Sequence, residues 1–229
     1  MIGIIGAMQI EVDNLLDEMV NKNTIVISGI KYVRGTLCDR EVVVAKCGIG
    51  KVFAALCTQT MIIKFMPEII INTGVSGGIA SETNIGDVVI AENVVQHDMD
   101  ISALGDPVGL IPGIDIIHIP CSKNVVAKLD KTLNAMDKTH KISTIATGDR
   151  FVSDTKETER INELFGAIAF DMESASIGQV CYVNDVKYGI IRSISDNGSE
   201  DAGEDYMQFA KKAAKVSAGV VKGFLENLE

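Results

Sequence analysis

Short apolar runs alternate along the chain with longer segments in which apolar residues recur every three or four positions. The short runs are typical of buried β-strands, and the longer segments are typical of helices that pack one face on a sheet. This alternation predicts an α/β fold, a single-domain three-layer sandwich in which helices flank a central twisted mixed β-sheet. The predicted strands are 2–7, 24–28, 31–37, 41–46, 68–73, 87–95, 141–147, 167–170 and 187–195, and the predicted helices are 11–19, 51–66, 155–164, 172–183 and the segment from 204 onward.

Three details of this pattern bear on assembly and function. The strands between 24 and 46 are separated by short turns, so we expect antiparallel hairpins there. Segment 51–66 is apolar almost all round, which predicts a helix buried against both the sheet and a second subunit. The glycine-rich segment 74–78 is predicted to be a turn after a strand, a position where active-site loops often lie.

Composition narrows the classes of partner. The chain has 229 residues, 47% of them hydrophobic, and no linker-like segment, so we predict one domain over 1–229. The formal net charge of -10 predicts repulsion of phosphodiester backbones, which makes nucleic acid an improbable partner. No apolar stretch approaches the roughly 18 residues of a membrane span, and the N-terminus lacks the basic region of a secretion signal.

Several familiar motifs fail on inspection. The five cysteines are far apart and odd in number, which is typical of reduced thiols and predicts a cytoplasmic protein. Gly48-Ile49-Gly50-Lys51 lacks the spacing of a P-loop and the third glycine of a dinucleotide fingerprint. The three histidines show no metal-ligand spacing, so each is predicted to lie at the surface or to be hydrogen-bonded. We therefore predict neither a metal nor a cofactor.

Three carboxylates near predicted strand ends remain as candidate chemistry. Asp196 follows a strand and precedes Asn197-Gly198, a pattern that fits a catalytic acid and a turn or N-cap aspartate equally well. Glu173 lies in a first helical turn, where glutamate usually stabilises the helix dipole at the surface. By pattern alone, Glu11 is typical of a solvent-facing helix residue.

Seven sequence segments, taken in their order along the chain, indicate one particular protein family. They are IGIIGAM with a following Glu, GIGKVFAA, INTGVSGG, GDVVIAENVVQHDMD, TGDRFV, DMESASIGQVC and RSISD. With these segments the chain resembles the 5′-methylthioadenosine/S-adenosylhomocysteine nucleosidase family from Ile2 to the last helix. The resemblance implies a nucleoside phosphorylase-like fold and hydrolysis of the N-glycosidic bond of an adenine nucleoside, without a cofactor.

The resemblance also implies a role for each carboxylate. Asp196 would protonate or strongly hydrogen-bond N7 of adenine, with its carboxyl group oriented by Ser195. Glu173 would bridge the 2′- and 3′-hydroxyls of the ribose and stabilise the oxocarbenium-like charge. Glu11 would accept a proton from the attacking water.

The rest of the pocket follows from the same resemblance. Phe151 would stack on adenine, and the main chain of Val152 would recognise the purine edge. Further substrate-binding positions implied within the same chain are Met8, Ile49, Ser76, Met172, Arg192 and Tyr206. The 5′ end would be completed by a second subunit of a homodimer, through Ile101, Leu104 and Pro112.

Two departures and two rival functions stay open at this stage. Val75-Ser76 stands where many relatives carry a hydroxyl residue followed by Ala, so a hydrogen bond near the attacking water is either absent or supplied by Ser76. Leu104 replaces a common aromatic, which leaves the preferred 5′ substituent undetermined. A nucleoside phosphorylase would need a cationic phosphate site, which an anionic Glu11 disfavours, and a purine-binding sensor would need neither acid nor base.

Overall fold

The computed structural model describes residues 1–228, which form one α/β domain. Its ten strands are β1 (Ile2–Gly6), β2 (Val20–Ile27), β3 (Ile30–Leu37), β4 (Arg40–Lys46), β5 (Ile69–Gly78), β6 (Val88–Gln96), β7 (Ile119–Pro120), β8 (His140–Thr147), β9 (Ala167–Asp171) and β10 (Lys187–Asp196). The six helices are α1 (Gln9–Glu18), α2 (Lys51–Phe65), α3 (Lys123–Ala135), α4 (Thr155–Phe165), α5 (Ser174–Val183) and α6 (Ala202–Glu226), and a short 3₁₀ helix spans Ser102–Leu104.

The strands belong to one mixed sheet, which curls back on itself. β2, β3 and β4 pair antiparallel, which confirms the predicted hairpins, and β4, β1 and β5 continue as parallel neighbours. β5 also pairs with β10 along nearly its whole length, and the order β10-β6-β8-β9 leads back to the end of β5. Five strands thus close a ring. From it β1, β4, β3 and β2 extend in that order, and β7 pairs with β6.

Helices cover both faces of the sheet, as the three-layer prediction requires. One hydrophobic cluster joins α1, α3 and α6 to the sheet, and a second joins α2 and α5 to the opposite face. The α4 helix packs with the ends of β8 and β9 in a smaller third cluster. The central strands β1, β5, β9 and β10 are therefore buried on both faces, whereas β2 is largely exposed.

The predicted turn at 74–78 is wrong, because these residues continue β5 as a regular strand. Gly77 and Gly78 pair with β9, and a side chain at Gly77 would collide with the ring of Phe170. The glycines here allow close packing between strands instead of a change of chain direction.

Other boundaries also differ from the predictions. The α3 helix and the two-residue strand β7 were not predicted, although Val125, Leu129 and Leu133 of α3 show helical spacing and are buried. The α5 helix begins at Ser174 because the preceding residues form its N-terminal cap. The prediction for His97 is wrong: this side chain is buried, and neither ring nitrogen has a hydrogen-bond partner among residues 1–228.

The α2 helix buries one side and exposes the other. Ala54, Cys57 and Met61 are fully buried, whereas Val52 is 77% exposed and Ile63 is 71% exposed. The helix surface is apolar on nearly all sides, but the rest of the chain buries only one side of it. No helix in residues 1–228 is long and apolar enough to cross a membrane.

Candidate active site

A cavity of about 300 Å³ opens at the carboxyl ends of β1, β5, β9 and β10. This is the edge at which open α/β sheets commonly bind small ligands, and the volume suits a small molecule. The lining residues are Ala7, Met8, Glu11, Ile49, Val75, Ser76, Gly77, Arg150, Phe151, Val152, Phe170, Asp171, Met172, Glu173, Ser195, Asp196 and Tyr206.

Glu11 lies at the first turn of α1 and is almost completely buried, at 3% exposure. Its Oε2 accepts hydrogen bonds from the N–H groups of Ala7 (2.6 Å) and Met8 (2.9 Å), and its Oε1 accepts one from Val75 N (3.0 Å). Gly74 makes room for the carboxylate, because a Cβ there would lie 2.9 Å from Glu11 Cδ. Burial raises the pKa of Glu11, and the charge of Arg192 and the three N–H groups offset part of that rise.

Glu173 occupies the N-cap position of α5, and its side chain faces the same cavity without making a cap hydrogen bond. Its Oε1 accepts a hydrogen bond of 2.8 Å from Gly50 N, at the start of α2. Burial, and then the negative charge of Asp171, raise the pKa of Glu173 to about 8. The glutamate is thus a buried group held against a helix N-terminus, not a surface residue.

Beneath Glu173 lies a buried ion pair. Arg192 Nε donates to Asp171 Oδ2 at 2.6 Å, and Arg192 Nη2 donates to Asn72 Oδ1 at 2.5 Å. Asp171 Oδ1 also accepts from Thr147 Oγ1 (2.6 Å) and from the N–H groups of Glu173 (3.2 Å) and Ser174 (3.1 Å). Through the last two bonds, the Asp171 side chain caps the N-terminus of α5. Burial opposes ionisation, but Arg192 and the donors hold the pKa of Asp171 below its ordinary value.

Asp196 ends β10 and is 2% exposed. Its Oδ2 accepts from Ser195 Oγ at 2.9 Å, and its Oδ1 accepts from Gly198 N at 3.0 Å. The carboxyl group therefore makes the turn contact that the sequence suggested, and it also lines the cavity. Burial raises the pKa of Asp196, so its carboxyl group keeps a proton to higher pH than an exposed aspartate does.

Aromatic and sulfur-containing side chains form the mouth of the cavity. Phe151 is 48% exposed, and its ring meets Tyr206 edge-on, with ring centroids 5.9 Å apart at an interplanar angle of 81°. The Tyr206 hydroxyl donates to Met8 Sδ at 2.9 Å. This end of the cavity offers a flat apolar surface, which suits a ring system or an alkyl group.

Most of the predicted site residues meet at this one cavity. Those that line it are Glu11, Glu173, Asp196, Met8, Ile49, Ser76, Phe151, Val152, Met172, Ser195 and Tyr206. Arg192 lies below the cavity, not in its lining, because its guanidinium is bound to Asp171 and Asn72. Ile101, Leu104 and Pro112 do not line the cavity formed by residues 1–228, and Leu104 is 81% exposed.

Six lining residues were not predicted: Ala7, Val75, Gly77, Arg150, Phe170 and Asp171. Five of them are adjacent in sequence to a predicted residue, and Phe170 lies two positions before Met172, so the signal lay in the motifs themselves. Ser76 Oγ is buried without a hydrogen-bond partner among residues 1–228. No group of three or more His, Cys, Asp or Glu side chains in that same range is arranged to hold a metal ion.

Comparison with known proteins places the whole chain in one family. Residues 1–226 match the phosphorylase superfamily. The chain is 40% identical to a 5′-methylthioadenosine/S-adenosylhomocysteine nucleosidase of Shewanella pealeana, over 99% of both chains.

Solved structures agree with this assignment. The Neisseria meningitidis 5′-methylthioadenosine/S-adenosylhomocysteine nucleosidase in complex with methylthio-immucillin-A superposes with a TM-score of 0.96, at 30% identity and 99% coverage of both chains. The native futalosine hydrolase of Helicobacter pylori has the same TM-score at 34% identity, covering 99% of this chain and 97% of its own. Both similarities extend over nearly the entire fold.

Proposed function

The chain belongs to the 5′-methylthioadenosine/S-adenosylhomocysteine nucleosidase family of the phosphorylase superfamily, and on that premise we propose how its cavity acts. The reaction is hydrolysis of the N-glycosidic bond of 5′-methylthioadenosine and S-adenosylhomocysteine, which releases adenine and the 5-thioribose product. The observation that carries the proposal is that three buried carboxyl groups, distant in sequence, line one cavity with different hydrogen-bond partners.

Asp196 is the general acid of the proposed mechanism. Adenine leaves poorly as an anion, so proton transfer to N7 eases cleavage of the bond to C1′. The raised pKa of Asp196 favours a carboxyl group that keeps its proton until the substrate binds. Ser195 Oγ orients the group by binding Oδ2. Phe151 provides the face on which adenine stacks, and Val152 provides the adjacent main chain.

Glu173 and Glu11 act at the sugar. As the bond to adenine stretches, the ribose gains positive charge, which Glu173 stabilises in its ionised form while binding the 2′- and 3′-hydroxyls. The pKa of Glu173 is about 8, and the developing positive charge favours the ionised form. Glu11 accepts a proton from water as the water oxygen bonds to C1′. The raised pKa of Glu11 makes it a stronger base than an exposed glutamate. Asp196 has then lost one proton and Glu11 has gained one, and solvent restores both.

The charge at the base of the cavity favours water over phosphate as the nucleophile. Glu11 is anionic when it acts as base, and Arg192, which lies nearby, is already paired with Asp171. Phosphate would meet a negative charge that Arg192 only partly offsets, whereas water is neutral and can donate a proton to the base. The same arrangement argues against a purine sensor, because binding alone needs neither a proton donor nor a base.

We also propose a homodimer in the cytoplasm. The α2 helix exposes the apolar side chains Val52, Phe53, Leu56 and Ile63, and the neighbouring α5 helix, which packs on α2, exposes Tyr182 and Val183. A second copy on this surface would bury these side chains and bring Ile101, Leu104 and Pro112 towards the neighbouring cavity. Five free cysteines support a reducing compartment.

The decisive experiment measures adenine release from 5′-methylthioadenosine by the purified protein, with and without inorganic phosphate. We expect free 5-methylthioribose in both cases. Asp196→Asn should lower kcat on the order of 10²-fold or more, because the amide cannot donate the proton. Asp87→Asn is the matched control, since the Asp87 side chain accepts a similar turn bond from Asn84 N at 2.9 Å but does not line the cavity.

Each other outcome excludes a part of the proposal. A phosphorylated sugar product would indicate a phosphorylase, and tight adenine binding without turnover would indicate a sensor. An unchanged rate of adenine release by Asp196→Asn would show that Asp196 is not the general acid. Comparing kcat/KM for 5′-methylthioadenosine, S-adenosylhomocysteine, 5′-deoxyadenosine and an aminodeoxyfutalosine-type nucleoside then ranks the 5′ substituents.

A further inference from the structure

Beside the mouth of the cavity, a network of charged groups joins three segments that are distant in sequence. Asp149 Oδ1 accepts a hydrogen bond from Lys51 N at 2.8 Å, and Asp149 N donates to Asp98 Oδ2 at 2.9 Å. Lys51 Nζ closes the network with bonds to Asp98 Oδ1 (2.6 Å) and Gln96 Oε1 (3.1 Å). The start of α2, the end of β6 and the loop after β8 are thereby held together.

This network touches the site at two points. Gly50, the residue before Lys51, donates its N–H to Glu173 Oε1 at 2.8 Å. On the other side, Phe151 and Val152 follow Asp149 in the chain by two and three residues and line the cavity. Asp149 therefore connects the hydrogen-bond donor of Glu173 with the loop proposed to bind adenine, although it does not itself line the cavity.

Asp149, which is distant in sequence from α2, supplies a negative charge at the N-terminus of this helix. Its N-cap residue, Gly50, has no side chain to accept a hydrogen bond, and its first turn contains no acidic residue. Two successive N–H groups, of Gly50 and Lys51, bind two carboxylates, Glu173 and Asp149. A carboxylate at a helix N-terminus is favoured by the free N–H groups and the helix dipole.

Space at Gly50 couples the two contacts. Gly50 has φ +98°, which disfavours other residues, and a Cβ there would lie 3.0 Å from Asp149 Oδ1. If Asp149 is displaced, the direction of the Gly50 N–H is therefore less constrained. The path of the loop that carries Phe151 and Val152 is less constrained as well. Asp98 strengthens the arrangement: burial opposes its ionisation, but bonds from Lys51 Nζ and Asp149 N hold the pKa of Asp98 below its ordinary value.

We propose that Asp149 is a positioning residue that aligns the Gly50 N–H with Glu173 and, at the same time, sets the loop that carries Phe151 and Val152. This inference rests on the proposed function, because it assigns Glu173 to the ribose and the loop to adenine. A purely structural cap would stabilise α2 without affecting either ligand contact.

The test compares three variants of the full-length protein. Asp149→Ala removes the acceptor for Lys51 N, whereas Asp149→Asn keeps an oxygen at that position. Asp154→Ala is the matched control, because Asp154 caps α4 through a 2.9 Å bond from Lys156 N in the same stretch of chain and does not line the cavity. For each variant we would measure kcat/KM against pH with 5′-methylthioadenosine, adenine affinity by calorimetry, and thermal unfolding.

Asp149→Ala should lower kcat/KM by about tenfold to 10²-fold, a range typical of a lost charged hydrogen bond or a small misplacement. It should also weaken adenine binding. The limb of the kcat/KM–pH profile that reports ionisation of Glu173 should move to higher pH by up to about one unit, because the Gly50 N–H favours the ionised carboxylate. Asp149→Asn should restore most of the activity. Asp154→Ala should lose thermal stability and keep the wild-type pH profile.

Two results would overturn the inference. One is an Asp149→Ala protein with wild-type adenine affinity and pH profile. The other is an equal loss of kcat/KM in Asp149→Ala and Asp154→Ala at equal thermal stability. If the wild-type protein binds adenine but releases none from 5′-methylthioadenosine, the proposed function fails, while the adenine affinities of the variants still test the role of Asp149 in the loop.

Discussion

Replacing Glu11 by glutamine changes charge and proton affinity while keeping the shape of the side chain. The carboxylate accepts three backbone hydrogen bonds, two at Oε2 and one at Oε1. A glutamine amide has one oxygen, which best replaces Oε2 and its two donors. The amide NH₂ then faces the N–H of Val75, so one buried donor loses its acceptor.

The effect on catalysis follows from the loss of the base. General acid–base groups contribute about 10²- to 10⁴-fold to the rate, which corresponds to about 2.7–5.4 kcal/mol at 1.36 kcal/mol per tenfold. We expect kcat of Glu11→Gln to fall by at least about 10²-fold. KM for 5′-methylthioadenosine should stay within a few-fold, because the side chain keeps its volume and acts on the water.

The effect on stability depends on pH. An unsatisfied N–H costs about 1–3 kcal/mol, which the variant carries at every pH. In the wild type, the folded-state pKa of Glu11 is raised above its ordinary value, so the folded protein binds more protons and loses stability as pH rises above about 4.5. Glutamine does not titrate, so the stability deficit of the variant should be largest near pH 4.5 and shrink towards pH 8.

The assay is adenine release under saturating substrate, together with urea unfolding at both pH values. Asp13→Asn is the control, because Asp13 lies on the same helix and accepts only an exposed bond from Gln9 Nε2. A Glu11→Gln protein with wild-type kcat would show that another group activates the water. A stability deficit that grows with pH would show that burial does not raise the pKa of Glu11.

Three further variants test the surroundings of the site. Gly74→Ala should lower kcat by more than about tenfold while the protein stays folded, because the new methyl group displaces the Glu11 carboxylate; circular dichroism and adenine release check this. Arg192→Met should reduce the free energy of unfolding by about 3–5 kcal/mol, because it leaves Asp171 charged and buried without its partner; urea unfolding measures the loss, and a change under about 1 kcal/mol would contradict it. Val52→Asp should convert the proposed dimer to a monomer in analytical ultracentrifugation and lower activity with it, whereas an unchanged mass would contradict the proposed interface.

Local patterns were sufficient for much of the fold. The strand and helix periodicities placed β1, β3, β4, α2, α4 and α6 within a few residues of their observed ends, because these signals depend on neighbours in the chain. The pattern was misleading at Gly74–Gly78, where glycine was interpreted as a turn signal. Gly77 and Gly78 lie in a strand, and glycine is needed there because Phe170, far away in sequence, and Thr83, in the following loop, occupy the space that side chains would need.

The sequence by itself determined the fold class, the family and the identity of the three carboxylates, since residue type, periodicity and ordered motifs are written in the chain. Only the tertiary structure decided their environment. Taken alone, Glu11 resembles a solvent-facing helix residue, but Val75 N and Arg192 approach it from strands β5 and β10. Proton affinity depends on burial and on neighbouring charges, and both arise from segments that meet only when the sheet closes.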